Sequence, residues 1–159
     1  MDYNIHMNKN NHGFTLIELI VTLAVIGVLF AMAAPNLQTT IQGNRLSGQY
    51  NDMRGDFAFA RNLAITRNVA VTISSNGGTN WSNGWAVVSP SGTARISNTA
   101  NSVVISSAIA SLTYRPDGTA SVTTETAFKI CDNRSGDHGK ELYVNFAGRV
   151  NLASGVTCP

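Results

Sequence analysis

Charge is scarce in this chain. Only 13% of its 159 residues are Asp, Glu, Lys or Arg, about half the usual quarter, and the formal net charge is +2. So small a balance gives no argument for a dedicated nucleic-acid binder, though it leaves room for a local basic patch. Cysteine is nearly absent: Cys131 and Cys158 are the two, both late. Their number alone leaves open a disulfide, two free thiols or no special role, and an exported context favours the disulfide. No C-x-x-C spacing or His cluster accompanies them, so neither redox chemistry nor a metal or cofactor site is expected. Beyond residue 13 one histidine remains, His138, beside Asp137 in a loop over residues 134–139. Adjacent residues rarely point at one another, and the G-x-S-x-G nucleophile motif is missing, so this pair reads as solvated loop. Paired carboxylates are also missing, and Gly77-Gly78 lacks the Lys and the spacing of a phosphate loop. These gaps argue against an enzyme. The abundant Ser, Thr, Asn and Gly point instead to an exported, β-rich domain, and the length fits one modest domain plus an appendage.

The appendage is the one long apolar run. Residues 1–13 are polar, with Lys9 and the terminal amine set against Asp2. Residues 14–34 are apolar except for Thr15, Glu18, Thr22 and Gly27, and as a helix they span about 30 Å, the thickness of a bilayer core. Three readings compete. A removable secretory signal would use the small-residue pattern Ala31-Met32-Ala33, but the run is long for that class and contains an acid. A plain membrane anchor leaves the acid unexplained, since a mid-bilayer carboxylate costs about 2.5–3.5 kcal/mol. A cut between Gly13 and Phe14 accounts for it. The cut creates an amine at Phe14, one turn from Glu18, where the helix dipole favours a carboxylate. The amine of the same or a neighbouring subunit then supplies the counter-charge in a bundle of such helices.

The residues Gly13-Phe14-Thr15-Leu16-Ile17-Glu18 resemble the cleavage and methylation site of type IV prepilins and type II secretion pseudopilins, and Pro35 falls where pilin helices carry a proline. The resemblance implies cleavage between Gly13 and Phe14 by a prepilin peptidase, N-methylation of Phe14, and assembly roles for Glu18 and Pro35. It also implies a short basic leader held in the cytoplasm, consistent with the positive-inside tendency. The helix then sits in the bacterial inner membrane, the head lies in the periplasm, and the subunit passes into a filament.

From residue 36 the run becomes one-sided. Leu37, Ile41, Leu46, Tyr50, Met53, Phe57, Ala60 and Ala64 recur at helical spacing, interleaved with Arg45, Arg54, Arg61 and Arg67, which read as a solvated face or as contacts to partner subunits. Pro35 is expected to kink or loosen the helix, and Gly43, Gly48 and Gly55 to weaken it. After Arg67-Asn68 the period becomes two: Val69, Val71 and Ile73 mark a strand. Further strands are expected at residues 85–88, 103–106, 111–114, 127–131 and 141–146, with 149–152 a weaker candidate. Residues 74–83 and 89–102 read as polar loops, and Pro116-Asp117-Gly118 as a turn. The expected fold is α+β, a long N-terminal helix packed on an antiparallel sheet. The expected organisation is a leader over residues 1–13, a membrane and assembly helix over 14–35, an amphipathic helix over 36–68 and a β-rich head over 69–159.

The head also resembles a family. Residues 60–68 (Ala-Arg-Asn-Leu-Ala-Ile-Thr-Arg-Asn), Trp81-x-x-Gly84-Trp85 and Asn145-Phe146-Ala147-Gly148-Arg149 look like segments of FimT, FimU and GspH proteins, the minor pilins and minor pseudopilins. The tryptophans read as core packing. A periplasmic head turns the two cysteines into an expected Cys131–Cys158 bridge, worth on the order of 3–4 kcal/mol by loop closure. The resemblance implies a minor pilin placed at or near a pilus tip that primes assembly, with major and minor pilins and the inner membrane as partners. A GspH-like pseudopilin of type II secretion is the alternative. DNA is a further partner to consider, because some FimT-like pilins use Gly-Arg-x-Arg on DNA. Here Gly148-Arg149 is present but Asn151 replaces the second arginine, leaving Arg134, Lys140 and Arg149 as the candidate patch.

Overall fold

The computed structural model describes residues 13–159, so the leader expected over residues 1–13 lies outside the description except for Gly13. The chain divides between Thr39 and Thr40 into two compact units. One helix, α1, runs Leu16–Arg67 and is assigned as helix through Pro35 without a break. Proline forfeits one backbone hydrogen bond, and that loss does not end the helix here.

In the second unit α1 buries Leu46, Gln49, Tyr50, Met53, Asp56, Phe57, Ala60, Leu63 and Ala64. These are steps of three and one, which is one helix face. The expected stripe is therefore correct from Leu46 onward, whereas Ile41 is exposed. The glycines at 43, 48 and 55 have open space where a Cβ would stand, so they interrupt no packing. The helix stops at Asn68, which takes φ 52°. The Val69 amide then bonds back to the Ala64 carbonyl at 3.1 Å, a left-handed C-terminal cap that asparagine tolerates.

Eight strands follow: β1 Val71–Ser75, β2 Trp85–Ser89, β3 Gly92–Ser97, β4 Val103–Ser107, β5 Ser111–Tyr114, β6 Thr126–Asp132, β7 Gly136–Val144 and β8 Val150–Cys158. They form two four-stranded sheets rather than one, in the orders β3-β2-β1-β5 and β4-β6-β7-β8, and the named pairs are antiparallel. The fold is α+β, as expected. Two stretches expected as loops carry strand. Residues 89–102 contain β3, whose side chains up to Ile96 are all exposed, so it carries no buried alternation to reveal it. Residues 136–139 open β7 rather than lying in a loop, with the register slipping between Gly136 and Lys140.

The core joins both sheets to the helix. Phe57 packs on Trp81 and Phe128 with ring centroids 6.4 and 4.9 Å apart, and Trp81 meets Phe128 edge-on at 5.0 Å, a favourable arrangement of ring quadrupoles. Both tryptophans are fully buried, as the sequence suggested, and each indole N–H finds an acceptor: Trp81 the Ile109 carbonyl at 2.8 Å, Trp85 the Asp56 carboxylate at 2.9 Å.

Candidate functional site

Two regions stand out, one in each unit. The first is the start of α1. Residues 13–15 are non-helical, and the Glu18 amide donates to the Thr15 hydroxyl at 3.3 Å. Thr15-x-x-Glu18 is thus an N-cap and its third helical residue. The T-x-x-E pattern marks this cap in the sequence; the bond uses the backbone of Glu18, so the acid itself is favoured by the helix dipole rather than required by the cap. Each residue from 13 to 32 is exposed, Phe14 at 86%, and the apolar span is long enough to cross a membrane. Thr22 satisfies its own hydroxyl on the Leu19 carbonyl at 2.9 Å. So large an uncovered apolar surface needs lipid or other helices around it. Pro35 lies within α1.

The second region is where the helix meets two turns of the head. The Asn145–Arg149 turn links β7 to β8: the Gly148 amide donates to the Asn145 carbonyl at 2.9 Å, and the Arg149 amide to the Asn145 side chain at 3.0 Å. Gly148 has φ 69°, and a Cβ there would stand 2.2 Å from the Gly118 carbonyl and 3.0 Å from Arg61 Nε, so only glycine fits. Across this contact Arg61 donates from Nε to the Gly118 carbonyl at 2.9 Å and from Nη2 to the Ala147 carbonyl at 3.1 Å. Arg61 was expected on a solvated face or at a subunit contact; it binds its own chain. Beside it the Tyr114 phenol is buried without a partner among the described residues, and burial raises its pKa against the opposing pull of Arg61. Arg61→Ala is expected to cost about 1.5–3 kcal/mol, the range for hydrogen bonds from a charged donor, and to speed amide exchange in residues 115–120 and 145–149. Unchanged exchange in both turns would show that Arg61 does not hold them.

The three cations expected to form a patch lie in different settings. Arg134 chelates Asp132. Burial pushes the Asp132 carboxyl up, but its bonds to Arg134 outweigh this and hold it below the usual range. Lys140 donates to the Ser47 hydroxyl at 2.9 Å and lies 5.5 Å from the Tyr50 ring centre. Arg149 is exposed and shares a depression with Arg54 and Arg61. Asp137 and His138 are both exposed on β7, with Asp137 accepting from Thr157. Cys131 and Cys158 are joined as expected.

Asp56 and Gly139 escaped the sequence reading. Asp56 is a buried carboxylate on α1 that accepts from Trp85, from Arg95 at 2.7 Å and from Ser97, fastening β2 and β3 to the helix. Its signal was its place inside the buried stripe, between Met53 and Phe57. Gly139 lies in β7 between the two bridged cysteines. A Cβ there would stand 2.6 Å from the Val156 carbonyl and 2.7 Å from Cys158 Sγ.

Comparison with known proteins agrees with this geometry. Residues 49–148 match the family described as Type II transport protein GspH, and residues 8–34 match the prokaryotic N-terminal methylation motif. Two crystal structures of the type IV minor pilin FimU from Pseudomonas aeruginosa are similar to this chain. One, in space group P65, is 25% identical with a TM-score of 0.62, covering 72% of this chain and 97% of FimU. The other, in P21, is 26% identical with a TM-score of 0.64, covering 73% and 93%. A search of curated protein sequences finds no match. A family match over more than half the chain, a methylation motif before an uncovered apolar helix and a shared head fold leave one assignment: the chain is a type IV pilin-like protein of the FimT/FimU/GspH family.

Proposed function

We propose that this chain is a minor pilin subunit of a type IV pilus, cut between Gly13 and Phe14, methylated at Phe14, and incorporated at or near the tip, where it helps to prime assembly. The proposed parts are a leader (1–13), a membrane and assembly helix (14–35), an amphipathic helix (36–68) and a periplasmic head (69–159), with the inner membrane as the staging site. The observation that carries this reading is the uncovered apolar span of α1 with Glu18 in its first turn. Because residues 13–15 are non-helical, the Gly13–Phe14 bond lies in chain that a peptidase can hold without unwinding a helix. Once cut, the Phe14 amine and the Glu18 carboxylate supply each other's counter-charge between packed helices, which fixes register.

Glu18→Val is expected to leave membrane insertion intact and to cut the amount of this subunit in sheared pili severely. Normal incorporation would remove the register role, and an intact N-terminus starting at Met1 in the extracted protein would remove the cleavage. The family match to GspH favours a second reading, a type II secretion pseudopilin. Deleting the gene separates the two: lost twitching or piliation supports the pilus, and lost enzyme secretion supports the pseudopilin. DNA uptake has less behind it, because Arg134 and Lys140 are engaged within the head.

A further inference from the structure

We infer that the depression lined by Arg54, Arg61 and Arg149 is a docking surface for another pilin subunit, one that presents a carboxylate in an apolar surround. This deepens the filament reading and rests on it. Arg54 and Arg61 are seven residues apart on α1 and so share a face, with Ala58 between them. Arg149 reaches the same depression from the β7–β8 turn. No acidic side chain lines it, and the ion pairs found among the described residues use Arg95 and Arg134 instead. Arg61 is held by two carbonyls, which fixes its position and leaves its charge uncompensated. The guanidiniums of Arg54 and Arg149 have no partner among the described residues. Three like charges around one depression repel, and an incoming carboxylate, which arginine can grip through two parallel hydrogen bonds, relieves that repulsion.

The surroundings favour protein over nucleic acid. Phe146, at 55% exposure, lies in the same turn as Arg149, while Ile65, one helical turn beyond Arg61, and Leu152, just after the depression, are also exposed. Arginine beside exposed aromatic and aliphatic side chains is the composition of a protein interface. A phosphate backbone needs a line of cations, and β8, which leads away from the depression, contains no Lys or Arg. The positive charge is confined to this depression, which suits a carboxylate better than a strand of phosphates.

The test places the photo-reactive residue p-benzoylphenylalanine at Phe146 of the full-length chain, in piliated cells. Irradiation is expected to yield a crosslink, mapped by mass spectrometry, to the head of another pilin subunit close to an Asp or Glu. Arg54→Ala with Arg149→Ala should lower its yield about tenfold or more, while Arg67→Ala with Lys129→Ala, which removes equal charge elsewhere, should not. Arg61 is left intact because its loss loosens the turns. No pilin crosslink, or one indifferent to the Arg54/Arg149 pair, overturns the inference. So does an unchanged crosslink alongside a gel shift of duplex DNA that the pair abolishes. The filament reading fails separately, if the unmodified chain is missing from sheared pili.

Discussion

Replacing Asp56 with alanine is expected to lower the stability of the head by about 3 kcal/mol, near the bottom of the 3–5 kcal/mol range for breaking a buried ion pair. The bottom of the range applies because Arg95 keeps 45% of its side chain exposed and can turn to water once freed. The Trp85 N–H cannot: it is fully buried, and a stranded donor alone costs about 1–3 kcal/mol. Asp56→Asn keeps an acceptor for the indole but loses the charge, so it should cost clearly less. At about 2–4 °C per kcal/mol for a chain of this size, the alanine variant should melt about 10 °C lower, with the near-ultraviolet signal of Trp85 altered before unfolding. A loss below about 1 kcal/mol would mean that Asp56 does not bind β2 and β3 to the helix.

The second large effect is at Gly139. A Cβ there would meet Val156 carbonyl oxygen at 2.6 Å, Cys158 Sγ at 2.7 Å and Cys131 Sγ at 3.4 Å, because the bridge from β6 to β8 passes over the strand between them. The clash with Val156 is with backbone, so rotamer changes cannot relieve it. Gly139→Val is expected to cost at least the 1–3 kcal/mol of core overpacking and to hinder closure of the bridge, whose 27-residue separation corresponds to about 3–4 kcal/mol of loop-closure stabilisation. The two losses should not add. In a Cys131→Ala/Cys158→Ala background the valine should cost less, because the sulfur clashes are gone, and the coupling should fall within the 0.5–3 kcal/mol typical of residues in contact. A thiol-specific alkylation assay reads bridge closure and thermal melts read the coupling. Full bridging in Gly139→Val with strict additivity would rule out this account.

The sequence revealed what depends on periodicity. Met53, Phe57, Ala60 and Ala64 mark the buried face of α1 because burial and helical spacing coincide, and Val71 and Ile73 mark β1 in the same way. Strand β3 stayed hidden because it is held by backbone pairing to β2 and by two side chains bonded to Asp56, and neither leaves a hydrophobic pattern. The start of β7 was hidden because Gly136, Asp137, His138 and Gly139 have the composition of a loop, although Gly139 is small for the sake of a bridge formed from remote residues. Asp56 resembled a surface acid because its partners, Trp85, Arg95 and Ser97, are 29 to 41 residues away. The separate motifs around Arg61, Gly118 and Gly148 were visible as letters, while their meeting point needed the fold. Lys140 looked free because Ser47 lies 93 residues away in sequence, whereas the partner of Arg134, Asp132, stands only two residues before it and a charge so near in sequence still needs the end of β6 to present it.

The attachments of the helix within the head differ along its length. Lys140 of one sheet reaches Ser47, Asp56 holds β2 and β3 of the other, and Arg61 grips two turns. Gln49 adds a fourth by accepting from the Ala100 amide at 2.6 Å, so a tensile load entering this part of α1 along its axis would be shared by separate anchorages in parallel. Such spreading of load suits the filament subunit proposed above.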